Sequence, residues 1–221
     1  MNSWFTADTH FGHSNILKYC ERPFSNIEKH DQILIDNWNS CVRTGDLVYH
    51  LGDFAMASKG RLKSIIERLN GEIILILGNH DKQSARYYLD LGIKNVLQSK
   101  LVMIGRQYVV LNHYPWGLPP TPGRLPPVRL TNAGVPLLHG HTHAKDIIRF
   151  RGAVNEETVW KFRIIREEEN DMDFYEERSR KLEINVGVDS ASYRSGAQKI
   201  EDFRPFSCRE IQNIIEAVWT T

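Results

Sequence analysis

The run "GEIILILGNHD", residues 71–81, constrains the fold more than any other stretch of the chain. Its aliphatic residues, 73–77, show no polar alternation, so a strand there is buried on both faces, and the run is far too short to cross a bilayer. Such a strand needs one layer above it and another below. Neighbouring segments provide both. "SWFTAD" (3–8) and "LVYHLGDF" (47–54) read as further strands, while residues 28–42 and 58–69 carry apolar residues at helical spacing. Ser58 is placed to cap the second of these helices, and a shorter helix is expected at about residues 83–91. "KLVMIG" and "QYVVLNHY" around Gly105, then "LEINVGVD" (182–189), make the second half rich in strands. A last helix over 207–218 opens on a capping box formed by Ser207 and Glu210. This order predicts an α/β fold.

Two stretches break the pattern. Residues 114–136 are rich in proline and glycine, and residues 145–181 combine strand-like "DIIRF" and "TVWKFRII" with the acidic run "EEENDMDFYEE". The second reads as an insertion, a hairpin followed by a charged helix or loop, within a single domain spanning 1–221. Both flank the histidine-rich segment described next and are expected to wall a cleft there. The formal net charge of +1 gives no whole-molecule attraction to nucleic acid or membrane. Cys20, Cys41 and Cys208 are odd in number and widely spaced, which excludes a disulfide framework and suits a reducing compartment. The polar stretch "TADTHFGH" begins at Thr6, where the apolar core of a signal peptide would be needed. A cytoplasmic protein with no membrane partner is expected.

The apolar strands end in Asp8, Asp53, Asn79, His80 and His113. Ligands of open α/β sheets collect at the carboxyl ends of strands, so these residues are candidates for one site. "LLHGHTHAKD" (137–146) adds His139, His141 and His143 at alternate positions. Alternation is the strand period, and three imidazoles could line a half-exposed sheet face. Equally, imidazole is the commonest side-chain ligand of transition metals, and Gly140 permits close backbone approach. A structural zinc site would draw on cysteines in short loops, and none occurs among these positions.

Taken in order, "ADTH", "GD", "GNHD", "NHY" and "GHTH" resemble the motifs of the calcineurin-like metallophosphoesterase superfamily. The likeness covers residues 3–143 and the "NVGVD" strand, and "WFTADTHFGHSNI" is most similar to its small bacterial and phage branch. It implies a β-sandwich flanked by helices in α-β-β-α layers. It also implies two divalent metal ions, manganese foremost, with iron, nickel, zinc or magnesium as alternatives. Asp8, His10, Asp53 and His143 would hold one ion; Asp53, Asn79, His113 and His141 would hold the other, with Asp53 bridging. The implied reaction is hydrolysis of a phosphomonoester or phosphodiester by a metal-bridging hydroxide. His80 would protonate the leaving oxygen, with Asp81 orienting its ring or capping the following helix. A phosphorylated small molecule or nucleotide is the expected substrate, with nucleic acid as a further partner. The alternative is a retired fold serving as a binding scaffold, but every expected ligand type is present.

Beyond the motifs, His13 and Asn15 either face the substrate phosphate or serve capping and packing. Arg124 belongs to a basic stretch, 123–151, that is either a phosphate-facing rim or a solvated face. His139 supports the ligands or packs, His30 and His50 are structural, and Asp46 is a turn residue. Two departures narrow the branch. "GDFAMASKG" lacks the D-R-G of the Ser/Thr protein phosphatases, and Met56 stands where purple acid phosphatases have a tyrosine.

Overall fold

A computed structural model describes residues 1–116, 135–150, 159–160 and 182–219. Strands β1 (Ser3–Thr6), β2 (Leu47–His50), β3 (Glu72–Ile76) and β4 (Asn95–Leu97) run parallel, and β11 (Phe206–Ser207) adds antiparallel to the outer edge of β1. A second sheet has the order β5-β6-β7-β10-β8-β9, from Ser99–Ile104, Gln107–Asn112, Leu137–His139, Leu182–Asn185, Ile148–Phe150 and Val159–Trp160. Its central strands β6, β7 and β10 are parallel; the outer pairings are antiparallel.

The apolar run of β3 is continuous because both of its faces are covered. Ile73 and Leu75 join Val48 against helices α2 (Ile27–Cys41) and α3 (Lys59–Arg68), which contribute Leu34, Ile35, Trp38, Leu62, Ile65 and Ile66. Ile74 and Ile76 point the other way, joining Phe5 and Tyr49 against Val109, Leu111, Leu138 and Ile184 of the second sheet. The result is two mixed sheets face to face, flanked by helices. The carboxyl ends of β1, β2, β3, β6 and β7 share one rim of this sandwich.

Local signals fix the helix ends. Asn26 accepts from the Lys29 amide at 2.8 Å to start α2, and Ser58 accepts from the Arg61 amide at 3.4 Å to start α3. The expected capping box opens α6 (Cys208–Trp219): Ser207 Oγ accepts from the Glu210 amide at 3.1 Å, and Glu210 Oε2 accepts from the Ser207 amide at 2.7 Å. Two expectations need correction. The helix expected near 83–91 is α4 (Ala85–Asp90), and Ser84, not Asp81, accepts from its first turn. The strand expected over 182–189 stops at Asn185, whose side-chain oxygen accepts from the Gly187 amide at 2.9 Å and turns the chain into the short helix α5 (Val188–Ala191). Of the 145–181 segment, β8 and β9 form an antiparallel pair and β8 also joins β10, so its first strand is built into the sheet. Residues 151–158 and 161–181 of that segment, and most of 114–136, lie outside the described residues.

Leu75 is fully buried between β3 and the helices, whereas Met103 is 59% exposed. Leu75→Ala should lower unfolding stability by about 2–5 kcal/mol, and Met103→Ala should change it by less than about 0.5 kcal/mol, in urea titrations followed by circular dichroism.

Candidate metal centre

The loops that follow β1, β2 and β7 bend sharply, and the bends fall on candidate ligands. Asp8 (φ 57°), His10 (49°), Asp53 (55°), His141 (71°) and His143 (51°) all occupy the left-handed region. Among the described non-glycine residues, only Glu21 joins them there. Left-handed backbone is uncommon for any residue with a side chain, although Asp and His tolerate it better than most, and five such bends in one place persist where the surroundings over-determine them. Gly140 explains part of the packing. A Cβ at that position would lie 2.5 Å from the Ala7 Cβ and 2.6 Å from Asp8 Oδ2.

Asp53 is the hub. Its Oδ1 accepts from the His80 amide at 2.8 Å. Its Oδ2 faces His10 Nε2 at 3.5 Å, His113 Nε2 at 3.6 Å and His80 Nε2 at 3.9 Å. Asp8 is anchored from across the inter-sheet core, accepting from the His141 amide at 2.9 Å and 3.0 Å. One donor atom from each of Asp8, His10, Asp53 and His143 lies within 4.8 Å of the others. Asn79, His113 and His141 converge beside them: Asn79 Oδ1 is 3.1 Å from His113 Nε2 and 2.8 Å from His141 Nδ1. All seven residues expected as ligands therefore meet at one rim.

The donor set fits divalent cations on its own chemistry. His113 Nδ1 donates to the Leu51 carbonyl at 2.7 Å, which leaves Nε2 as a lone pair aimed at Asn79 Oδ1 and Asp53. Burial holds His113 down to about 3 and His141 down to about 4, and it pushes His10 still lower, so these imidazoles are neutral, the form that can coordinate a cation. Burial also pushes Asp8 up to about 7, and it raises Asp53. A cation beside these carboxyls would favour their ionised forms. Buried His10 Nε2 has no hydrogen-bond partner among the described residues, and two cations with a shared carboxylate would satisfy it and relieve the crowded lone pairs.

His143 is different. Burial works against its protonation, but a hydrogen bond donated to Asp189, another shared with Cys20 and the charges of Asp8 and Asp189 win and push it up to about 11. Its Nδ1 donates to Asp189 Oδ2 at 2.8 Å. Burial likewise opposes the ionisation of Asp189, but the Arg22 guanidinium outweighs it and holds this carboxyl down to about 2. Arg22 and Asp189 were not anticipated from sequence. An acidic residue closing the apolar run "LEINVGVD" was the only signal for Asp189, similar to the Asp53 that closes "VYHLGD"; "CERPF" gave none for Arg22.

The remaining candidates divide. His80 borders the cluster with a third of its side chain exposed, and His13 stands at the rim, its ring 5.3 Å from His10 and 6.1 Å from His80. Asn15 is exposed and its side chain makes no capping bond to α1 (Ile16–Tyr19). Asp81 does not reach the His80 ring. Its carboxylate accepts from the amides of Asp53 (2.7 Å), Gly78 (2.8 Å) and Phe54 (3.0 Å), and His80 Nδ1 has no partner among the described residues. Asp81 therefore braces the loops that present Asp53 and Asn79. His139 is buried, with Nδ1 donating to the Gly140 carbonyl at 2.8 Å. His50 is buried against Thr9 Oγ1 at 2.9 Å, and Asp46 accepts from Asn2, Arg43 and Trp4 in its turn. Arg124 lies outside the described residues.

Comparison with known proteins agrees with this architecture. A profile for the calcineurin-like phosphoesterase superfamily domain matches residues 1–157, and the chain belongs to this superfamily. The gene 66 protein of Mycobacterium phage L5 is 31% identical over 168 residues, covering 66% of this chain and 80% of the phage protein. An uncharacterized protein of Methanocaldococcus jannaschii is 49% identical over 86 residues, 38% of this chain and 49% of the archaeal protein. The chain thus spans about half the length of that relative. In structure, a protein of unknown function from Aquifex aeolicus superposes with a TM-score of 0.62 at 23% identity, over 96% of this chain and 98% of the other, a likeness of fold. Among the described residues, no helix is long and apolar enough to cross a membrane.

Gly140→Ala should displace Asp8 and press on Ala7 at the edge of the inter-sheet core, leaving the rest of that core in place. Metal titration of the purified variant is expected to show at least a tenfold loss of affinity at one position, with a cooperative thermal transition retained.

Proposed function

We propose that the protein is a dinuclear metal-dependent phosphoesterase, acting on a phosphomonoester or phosphodiester of a small molecule, nucleotide or nucleic-acid end. The observation that supports it most is the convergence of Asp8, His10, Asp53 and His143 on one point, with Asn79, His113 and His141 adjoining and Asp53 Oδ2 facing both groups. When bound, two divalent cations such as manganese supply Lewis-acid charge and lower the pKa of water. The chain's own part is to hold neutral imidazoles and carboxylates in a fixed frame, so that little reorganisation is needed as phosphoryl charge develops. His80 has its Nε2 on the cluster and is part-exposed, as a proton donor to a leaving oxygen must be. His13, further out on the same side, is placed to contact a phosphoryl oxygen.

Asp53→Asn keeps the shape of the hub but removes its charge. Metal content by elemental analysis should fall at both positions, and hydrolysis of an aryl phosphate should drop by at least a thousandfold. A fully loaded and active Asp53→Asn protein would overturn the shared-carboxylate reading, and a wild-type protein that binds metal but turns over no phosphoester would be a scaffold.

His80→Ala tests the proton donor. A nitrophenolate departs without a proton, whereas a ribose or alkyl alkoxide does not. The variant should keep both metals and lose at least tenfold more kcat on an alkyl or nucleoside ester than on a nitrophenyl ester with the same phosphoryl group. Equal losses on the two esters would remove the general-acid role.

A further inference from the structure

Arg22 is buried, and each of its five N–H donors has an acceptor. Nε donates to Asp189 Oδ1 at 2.8 Å and Nη2 to Asp189 Oδ2 at 2.7 Å, a two-pronged pair. The other Nη2 proton goes to the Asp8 carbonyl at 2.7 Å, and Nη1 donates to the Thr9 carbonyl at 3.1 Å and to His30 Nε2 at 2.9 Å. His30 Nδ1 then donates to Asp31 Oδ1 at 2.9 Å, and Asp31 pairs with Arg61 at 2.8 Å on α3. On the opposite side, Asp189 Oδ2 accepts from His143 Nδ1 at 2.8 Å. That bond fixes Nδ1 as the hydrogen-bond donor and sets the direction of the ring, so that Nε2 is the nitrogen a bound cation would have to take.

We propose that the buried Arg22–Asp189 pair is the positioning element of the metal centre, holding His143 through Asp189 and the Asp8–His10 loop through Arg22. The inference rests on the metal-dependent reading above. Its physical basis is that the two arms of the pair restrain ligands from different sheets. Asp8 and His10 follow β1 and sit on left-handed backbone; the carbonyls of Asp8 and Thr9 are the groups that Arg22 grips. His143 follows β7, and its ring direction is set by the carboxylate that neutralises the same guanidinium. Neither residue is itself a ligand to the Asp8–His10–Asp53–His143 position. Asn79, His113 and His141 make no hydrogen bond to the pair among the described residues, so their position should be spared.

The test is Mn²⁺ titration of the metal-free, full-length chain by calorimetry, with Co²⁺ absorption spectra as a second readout. Arg22→Lys retains the charge but cannot fork to two carbonyls and a carboxylate. Arg22→Met/Asp189→Leu removes both charges together and so avoids an unpaired buried ion. In both variants one Mn²⁺ affinity should fall by about 10–100-fold while the other stays within about twofold of wild type, and half of the Co²⁺ spectrum should change. Leu75→Ala, destabilised in the core between the first sheet and the helices, should keep both affinities. Wild-type affinity at both positions in either variant would overturn the proposal. So would two affinities that fall together in step with thermal stability, or failure of both variants to fold, since each marks a purely structural pair. A wild-type chain that binds no Mn²⁺ would instead overturn the metal-dependent reading itself.

Discussion

Crowding two carboxylates and several imidazoles into a buried rim is unfavourable unless positive charge is brought among them. Asp8 and Asp53 are both buried at the mouth of the inter-sheet core, and burial opposes the ionisation of each. Much of the surrounding structure answers that demand. Backbone amides are aimed at the carboxylates, from His141 to Asp8 and from His80 to Asp53. Imidazoles are kept neutral by burial and oriented by carbonyls such as that of Leu51. The residual charge requirement is what makes this rim a place for cations.

The scaffold meets the same demand through its layers. β1, β2 and β3 run in parallel, so their carboxyl ends fall on one edge, and β6 and β7 bring theirs to the same edge from the second sheet. Ligands of the first sheet and ligands of the second therefore approach across the top of a shared hydrophobic core. Helices α2 and α3 back the first sheet and carry Asp31 and Arg61, which extend the polar network from the rim to the surface.

Much of this was legible in the chain. The both-face burial of β3 was written in a run without alternation, and the residues that converge were visible as polar endings to apolar strands. The two ends of α3 and the capping box of α6 were equally plain, because caps are local chemistry. What was not legible was long-range. Arg22 sits in an unremarkable loop, and its partner Asp189 is far away in sequence, so no periodicity joins them. Asp81 looked like a partner for its neighbour His80. Three backbone amides lie closer, and a buried carboxylate takes the donors that satisfy it best. The end of the strand at Asn185 was hidden for a related reason, since the turn depends on one side chain accepting from a backbone amide two residues on.

The pairing of β1 has a consequence for how the molecule is made. β1 joins β2 on one side, but its other edge is closed only by β11, through Trp4 opposite Ser207 and Phe5 opposite Phe206. The clasp between Arg22 and Asp189 likewise waits for a late segment. During synthesis the first strand and the loop carrying Asp8 and His10 therefore emerge long before the segments that secure them. Contacts this distant in sequence slow folding, because the chain must be brought together over a large loop before they form. The nascent chain holds an open strand edge until residues 206–207 arrive, so its interval of vulnerability to aggregation lasts until that late segment is made.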